Sequence, residues 1–208
     1  MPRRNRHDIL YDGCFSHVFT RALKECWIFD HPSDFNFFKH LLLEAKQKHP
    51  FGIHHYCLMN THFHLVVSIP KVEHFSKALK LIKSRYTWWV NQKKNRSGSI
   101  WRERFRGMLI ENERYLNVCG QYVEWNPVKA GMCHHPVDWP YSSAAHYLLG
   151  KKDPLVDPYD RETKTDLPEN VDLADDDYFT RGFAVGSKLF RLQVRGKVLS
   201  VPLKVSVP

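Results

Sequence analysis

The chain has 208 residues, 43% of them hydrophobic and 13% aromatic, enough to build a real core and too many for a disordered polymer. No run of 18 apolar residues is present, which excludes a membrane-spanning helix, and the basic start Met-Pro-Arg-Arg-Asn-Arg-His lacks the apolar stretch of a secretory signal. The formal net charge is +9, unevenly spread: residues 1–152 hold 23 Lys/Arg against 12 Asp/Glu, 153–178 hold 2 against 10, and 179–208 hold 6 against none. A body at +11 favours a polyanionic partner, nucleic acid being the commonest. Five cysteines, an odd number without a C-x-x-C pair, read as reduced thiols of a cytoplasmic protein.

Taken in chain order, Cys14–Arg21 follows an Asp12-Gly13 turn and has strand composition. Ser33 can cap a helix whose apolar residues Phe35, Phe38, Leu41, Leu42 and Ala45 recur at three to four, ending before His49-Pro50. Phe51–Leu58 and His62–Ile69 form a hairpin around Met59-Asn60-Thr61. Residues 73–95 give a second helix with Leu79, Ile82, Tyr86, Trp89 and Val90 on the buried stripe and Lys77, Lys80 and Lys83 on another face. A strand near Phe105–Ile110 follows, then a helix capped by Asn112 and ending near Asn126-Pro127. The order β-α-β-β-α-β plus a helix predicts an α+β ferredoxin-like sandwich, an antiparallel sheet with helices on one face. Residues 1–150 read as the domain, 151–178 as an acidic linker or surface excursion and 179–208 as a basic C-terminal tail.

Three constellations bear chemistry. In Thr61-His62-Phe63-His64-Leu65, residues two apart share a strand face, so both imidazoles project together and can hold a divalent ion. With 13 histidines, one His-x-His pair is expected by chance about once, so the motif needs company. His54-His55 and His134-His135 read as background.

In Gly120-Gln121-Tyr122-Val123-Glu124-Trp125-Asn126-Pro127, Tyr122 and Asn126 lie one helical turn apart on one face. Tyr122 could be a nucleophile toward phosphorus or a core residue, and Asn126 a metal ligand or a cap. Tyr115, nearly two turns earlier, competes for the nucleophile's place. In Trp101-Arg102-Glu103-Arg104-Phe105-Arg106, the three arginines would share a strand face and pair with phosphate oxygens, while Trp101 could stack on a base. Arg85 and the Tyr86, Trp88, Trp89, Lys93, Lys94 and Arg96 cluster add basic and aromatic surface.

Together these segments resemble the HUH single-tyrosine transposases of bacterial insertion sequences, most closely the REP-associated tyrosine transposases. "MNTHFHLVV", "SIWRERFRG", "YVEWNPVKAG" and "DWPYSSAAHY" carry the likeness, over about Cys14 to Leu149. The resemblance implies a ferredoxin-like fold and Mg²⁺ or Mn²⁺ on His62, His64 and Asn126. It implies Tyr122, in Tyr-x-x-x-Asn-Pro, as the nucleophile that cleaves and rejoins single-stranded hairpin DNA through a 5′-phosphotyrosine. The basic body, through Lys77, Lys80, Lys83, Arg85, Trp101, Arg102, Arg104 and Arg106, is expected to hold that DNA, in a monomer or homodimer. The alternative is a catalytically idle nucleic-acid-binding module of the same fold.

Overall fold

A computed structural model describes residues 9–23, 26–159 and 171–199. The N-terminal basic run, the middle of the acidic segment and the end of the basic tail therefore lie outside the described residues. Four strands form the expected antiparallel sheet: β1 (Cys14–Arg21), β2 (Gly52–Met59), β3 (His62–Ile69) and β4 (Arg106–Ile110), in the order β2-β3-β1-β4. This is the arrangement that two β-α-β halves reach when each helix crosses back over one face.

Two helices do so, α1 (Pro32–Lys48) and α2 (Val72–Lys93). Their Phe35, Phe38, Leu41, Leu79, Ile82 and Tyr86 pack on Val18, Phe63, Leu65 and Val67, one face of the pleat. The cap of α1 differs from the expectation. His31, not Ser33, is the N-cap: the Ser33 N–H donates to its Nδ1, Pro32 opens the helix, and the buried Asp34 carboxylate accepts the His31 and Asp30 N–H groups. A fixed proline φ at the first helical position moves the start two residues earlier.

The sheet is also covered on its other face. α3 (Glu113–Lys129) lays Leu116, Cys119, Tyr122 and Val123 against Phe19, Cys57, Met59 and Val66. The alternate residues of each strand are apolar enough to need burial on both sides. The expectation of helices on one face thus describes only α1 and α2. α3 runs two to three residues past the expected stop: Pro127 has no N–H to offer the Val123 carbonyl, and the Asn126 carboxamide donates instead to the Tyr122 (2.9 Å) and Val123 (3.4 Å) carbonyls.

α4 (Ala144–Leu149) is followed by chain that returns to the body. Asp157 accepts the Ile53 N–H at 2.8 Å and pairs with Lys46. α5 (Asp176–Thr180) lies over α3, and β5 (Ala184–Val185) extends the sheet by pairing with β4, in parallel. The sheet is therefore mixed at that edge. α6 (Lys188–Leu199) starts where Glu111 accepts the Ser187 N–H and hydroxyl. In its described parts the chain beyond 150 shares both cores, through Leu155, Phe179, Val185 and Val194. Among the described residues no helix is long and apolar enough to cross a membrane.

Candidate active site

His62 and His64 sit at the start of β3 on the α3 face, because Phe63 between them is drawn into the α1/α2 core. Their ring centroids are 5.0 Å apart. Tyr122 reaches the same face from α3, its ring 6.2 Å from that of His64 and 6.1 Å from that of His17. The two imidazoles and the phenol thus converge.

His17 on β1 was not among the expected residues. Its Nε2 is 2.8 Å from Nδ1 of His64, and its Nδ1 donates to the Phe179 carbonyl at 3.0 Å. Burial without an anionic neighbour pulls the pKa of His17 down to about 4 and that of His64 well below the ordinary value. His62 also falls to about 4, by burial first and then the positive Arg21 beside it, with Asp176 opposing. The three rings are therefore neutral near pH 7, the form a metal ligand requires.

Tyr122 is only 1% exposed. Phe179 of α5 stacks on it at 4.0 Å, and the Lys129 ammonium lies 4.6 Å above its ring. Burial and then the Asp176 carboxylate push its phenol pKa far up, while Arg21 pulls the other way. Lys129 itself is tied to Asp176 at 2.5 Å. The residues missed by sequence reading are thus His17, Arg21, Lys129, Asp176 and Phe179. A lone histidine and an aspartate in an acidic run give no pattern to find.

Among the described residues no three His, Cys, Asp or Glu side chains come together as a ready metal site. Asn126 stands one turn beyond Tyr122 with its amide nitrogen engaged by its own helix. Tyr115 is buried in the same cluster between α3 and the sheet as Tyr122.

The basic residues fall into three groups. Lys80, Arg102 and Arg104 are exposed. Lys77 pairs with Glu73, Arg85 with Glu44 and Arg106 with Glu103, pairings that exposed side chains can exchange for phosphate. Three expectations are corrected. Trp101 is 8% exposed, its indole N–H shared between the Lys83 carbonyl and Thr87 Oγ1, so it is a core residue and no stacking platform. Lys83 folds over that ring and donates to the Glu103 and Arg104 carbonyls, with its pKa lowered to about 8 by burial; it fastens the 101–105 segment. With Trp101 drawn inward the segment is a turn, the strand begins only at Arg106, and Arg102, Arg104 and Arg106 share no strand face. Tyr86 is core as well, while Trp88 is 63% exposed.

The model of one known family, described as "Transposase IS200 like", matches residues 12–126, just over half of the chain and all of the convergent site except Lys129, Asp176 and Phe179. The chain belongs to the IS200-like transposase family. Among its relatives, a protein named as a REP-associated tyrosine transposase in Haemophilus influenzae is 28% identical over 118 residues, covering 52% of this chain and 67% of that protein. One in Escherichia coli K12 is 27% identical over 112 residues, covering 53% and 65%. The matches thus span about two thirds of these curated relatives. Among solved structures, a REP-associated tyrosine transposase bound to a REP hairpin superposes with a TM-score of 0.57 at 19% identity, over 76% of this chain and 93% of that one. The likeness shows that the IS200-like transposase fold extends across the α+β body described above.

Proposed function

We propose that this chain is a metal-dependent DNA strand transferase that cuts and rejoins hairpin-forming single-stranded DNA through a 5′-phosphotyrosine. The observation that carries the reading is the convergence of Tyr122 with His62 and His64 on one face, within about one side chain's reach. The donor chemistry fits a divalent cation: both imidazoles are neutral, and the Nδ1 of His64 is engaged by His17, which leaves Nε2 to ligate. His62 and His64 would hold Mg²⁺ or Mn²⁺, with Asn126 as third ligand through the Oδ1 that its helix-bonded amide nitrogen leaves over. When bound, the cation supplies charge stabilisation at the scissile phosphate.

The chain's own residues account for the rest. The Tyr122 oxygen attacks phosphorus, the P–O3′ bond breaks, and the 3′ oxygen leaves as a hydroxyl once it has taken up a proton. The phenol passes its own proton to water in the attack, assisted by the positive Arg21 nearby, and the leaving 3′ oxygen takes one up from water. Attack by a second 3′-hydroxyl on the phosphotyrosine reverses the bond change and needs no ATP. The Phe179 ring and the Asp176 side chain must rotate away first, because a phenol stacked at 4.0 Å and 1% exposed cannot reach a phosphate. Lys80, Arg102 and Arg104 suit the DNA backbone by exposure and charge. The relative solved with a REP hairpin supports a hairpin as substrate.

Incubation of the full chain with hairpin-bearing single-stranded DNA and Mn²⁺ is expected to give a denaturant-resistant adduct. It should vanish in Tyr122→Phe and persist in Tyr115→Phe; the reverse pattern overturns the assignment. The covered phenol favours one second reading, a module that binds DNA without cutting it, and a chain that binds the hairpin yet never forms the adduct would establish that reading instead.

A further inference from the structure

We propose that His17 is a positioning residue that fixes the tautomer of His64, keeping a proton on its Nδ1 and a lone pair on its Nε2. The inference rests on the reading of His62 and His64 as a cation site, and it follows from three hydrogen-bonding groups in a row. A carbonyl oxygen can only accept, so Nδ1 of His17, 3.0 Å from the Phe179 oxygen, carries a hydrogen. The ring is wholly buried, where a charge without a counter-ion is costly, so His17 is neutral and its Nε2 bears a lone pair. That Nε2 lies 2.8 Å from Nδ1 of His64, and two ring nitrogens at this distance share one proton. The proton belongs to His64. Its other nitrogen, Nε2, is then the unprotonated one, and no rotation about the ring bond can exchange the two without losing the bond to His17.

The sheet register builds this pairing. Phe19 stands directly across from His64 on β3, and His17, two residues away on the same face, is the diagonal neighbour. The two imidazoles lie nearly parallel, 20° apart with centroids at 5.1 Å, a geometry in which ring edges rather than faces meet the shared proton. The carbonyl that starts the row belongs to the last turn of α5, whose terminal oxygens have no partner within the helix. Phe179 therefore acts twice, by ring on Tyr122 and by backbone on His17. A divalent ion cannot ligate a nitrogen that carries hydrogen, so a histidine held in the wrong tautomer must shed or move that proton before it binds. Outer partners of this kind commonly change metal affinity by about 10- to 100-fold.

Long-range ¹H–¹⁵N spectra of the metal-free full-length chain read the tautomer without activity. The expected result is hydrogen on Nδ1 of both His17 and His64. His17→Leu should release His64 into the Nε2–H form and weaken Mn²⁺ uptake, followed by electron paramagnetic resonance, by about 10- to 100-fold. His17→Gln, whose carboxamide can donate to Phe179 and accept from His64, should restore both. Hydrogen on Nε2 of His64 in the unmutated chain, or unchanged Mn²⁺ affinity in His17→Leu, overturns the proposal. If His17→Leu does not fold, the unmutated spectra and His17→Gln decide the matter. If the unmutated chain takes up no Mn²⁺, the cation-site reading fails, while the tautomer spectra still decide the role of His17.

Discussion

A histidine taken out of water without enough negative charge beside it stays neutral at the expense of acid stability, and three meet at this site: His17 and His64 buried, and His62 half-buried with Asp176 only partly opposing. His17 and His62 titrate near 4 in the folded chain and His64 well below its ordinary 6.5, burial being the first cause in each. Below about pH 6.5 the unfolded chain takes up protons on these rings that the folded chain refuses until about 4, so unfolding binds protons and stability falls as the pH drops through that window. Asp34 and Asp153 act only lower down: burial raises their pKa, but Lys93, Trp89 and backbone N–H groups for Asp34, and Tyr56, Leu155 and Lys39 for Asp153, outweigh it and hold them below 3.8. The prediction is a denaturant midpoint of the metal-free chain that declines steadily from neutral pH to about 5, before carboxylates contribute. A flat midpoint there would show that the rings are hydrated. At this scale the shared face of His62 and His64 was legible, because a strand's period of two places residues two apart on one side. His17 was not, since its meaning comes from β1 lying beside β3, a relation no local window contains.

Helix α3 is fixed to the sheet by polar as well as apolar contacts, and the fit leaves no slack. His55 on β2 reaches Glu124 of α3 through Nδ1 at 2.8 Å and the Tyr159 hydroxyl through Nε2 at 2.8 Å, while Ser143 donates to the same Glu124 oxygen at 2.7 Å. Gly120 faces that ring: a Cβ there would meet three His55 atoms at 2.4–2.5 Å. On an exposed helix Gly→Ala gains about 1 kcal/mol. Here the sign reverses, because a ring bonded at both nitrogens cannot withdraw, and Gly120→Ala is expected to cost about 1–3 kcal/mol, read by denaturant unfolding. A stabilised variant would mean that β2 and α3 are less closely apposed than described. Helices α1 to α3 and the first four strands were readable from apolar spacing and strand composition. The arginine segment misled because alternation of charge suggests a strand wherever turns and strands share composition, and only the burial of Trp101 decides between them. His55, taken as background, proved to be a fastening of α3 to the sheet and not a ligand of the site.

Over the whole chain the charge that suggested a polyanion is arranged more specifically than its total of +9 conveys. The acidic stretch supplies Asp176 over the phenol and Asp157 to Lys46, so part of it neutralises the body instead of trailing from it. The apolar residues at its end and just beyond it, Tyr178, Phe179, Ala184 and Val185, are too few and too scattered for any period to announce, which hid α5 and β5 from sequence reading. What remains outward includes Arg102 and Arg104, in a turn whose backbone is bonded to Arg21 beside His62: the Arg102 N–H donates to the Arg21 carbonyl at 3.0 Å. Register puts Arg21 directly across from His62, so this turn lies at the end of the sheet where Tyr122 would meet a phosphate. Neither side chain makes a hydrogen bond or ion pair among the described residues, so replacing them leaves the fold untouched. Arg102→Ala with Arg104→Ala should therefore weaken binding to a hairpin-bearing strand at moderate salt and make the slope of log affinity against log salt shallower by about one to two, one for each phosphate no longer neutralised. Thermal unfolding of the pair should match the parent. Trp101→Ala should behave in the opposite way, lowering the unfolding temperature first, by the removal of a core indole worth about 3–5 kcal/mol. An unchanged salt slope in the arginine pair would move the DNA path off this turn and toward Lys80 on α2, across the sheet from the phenol.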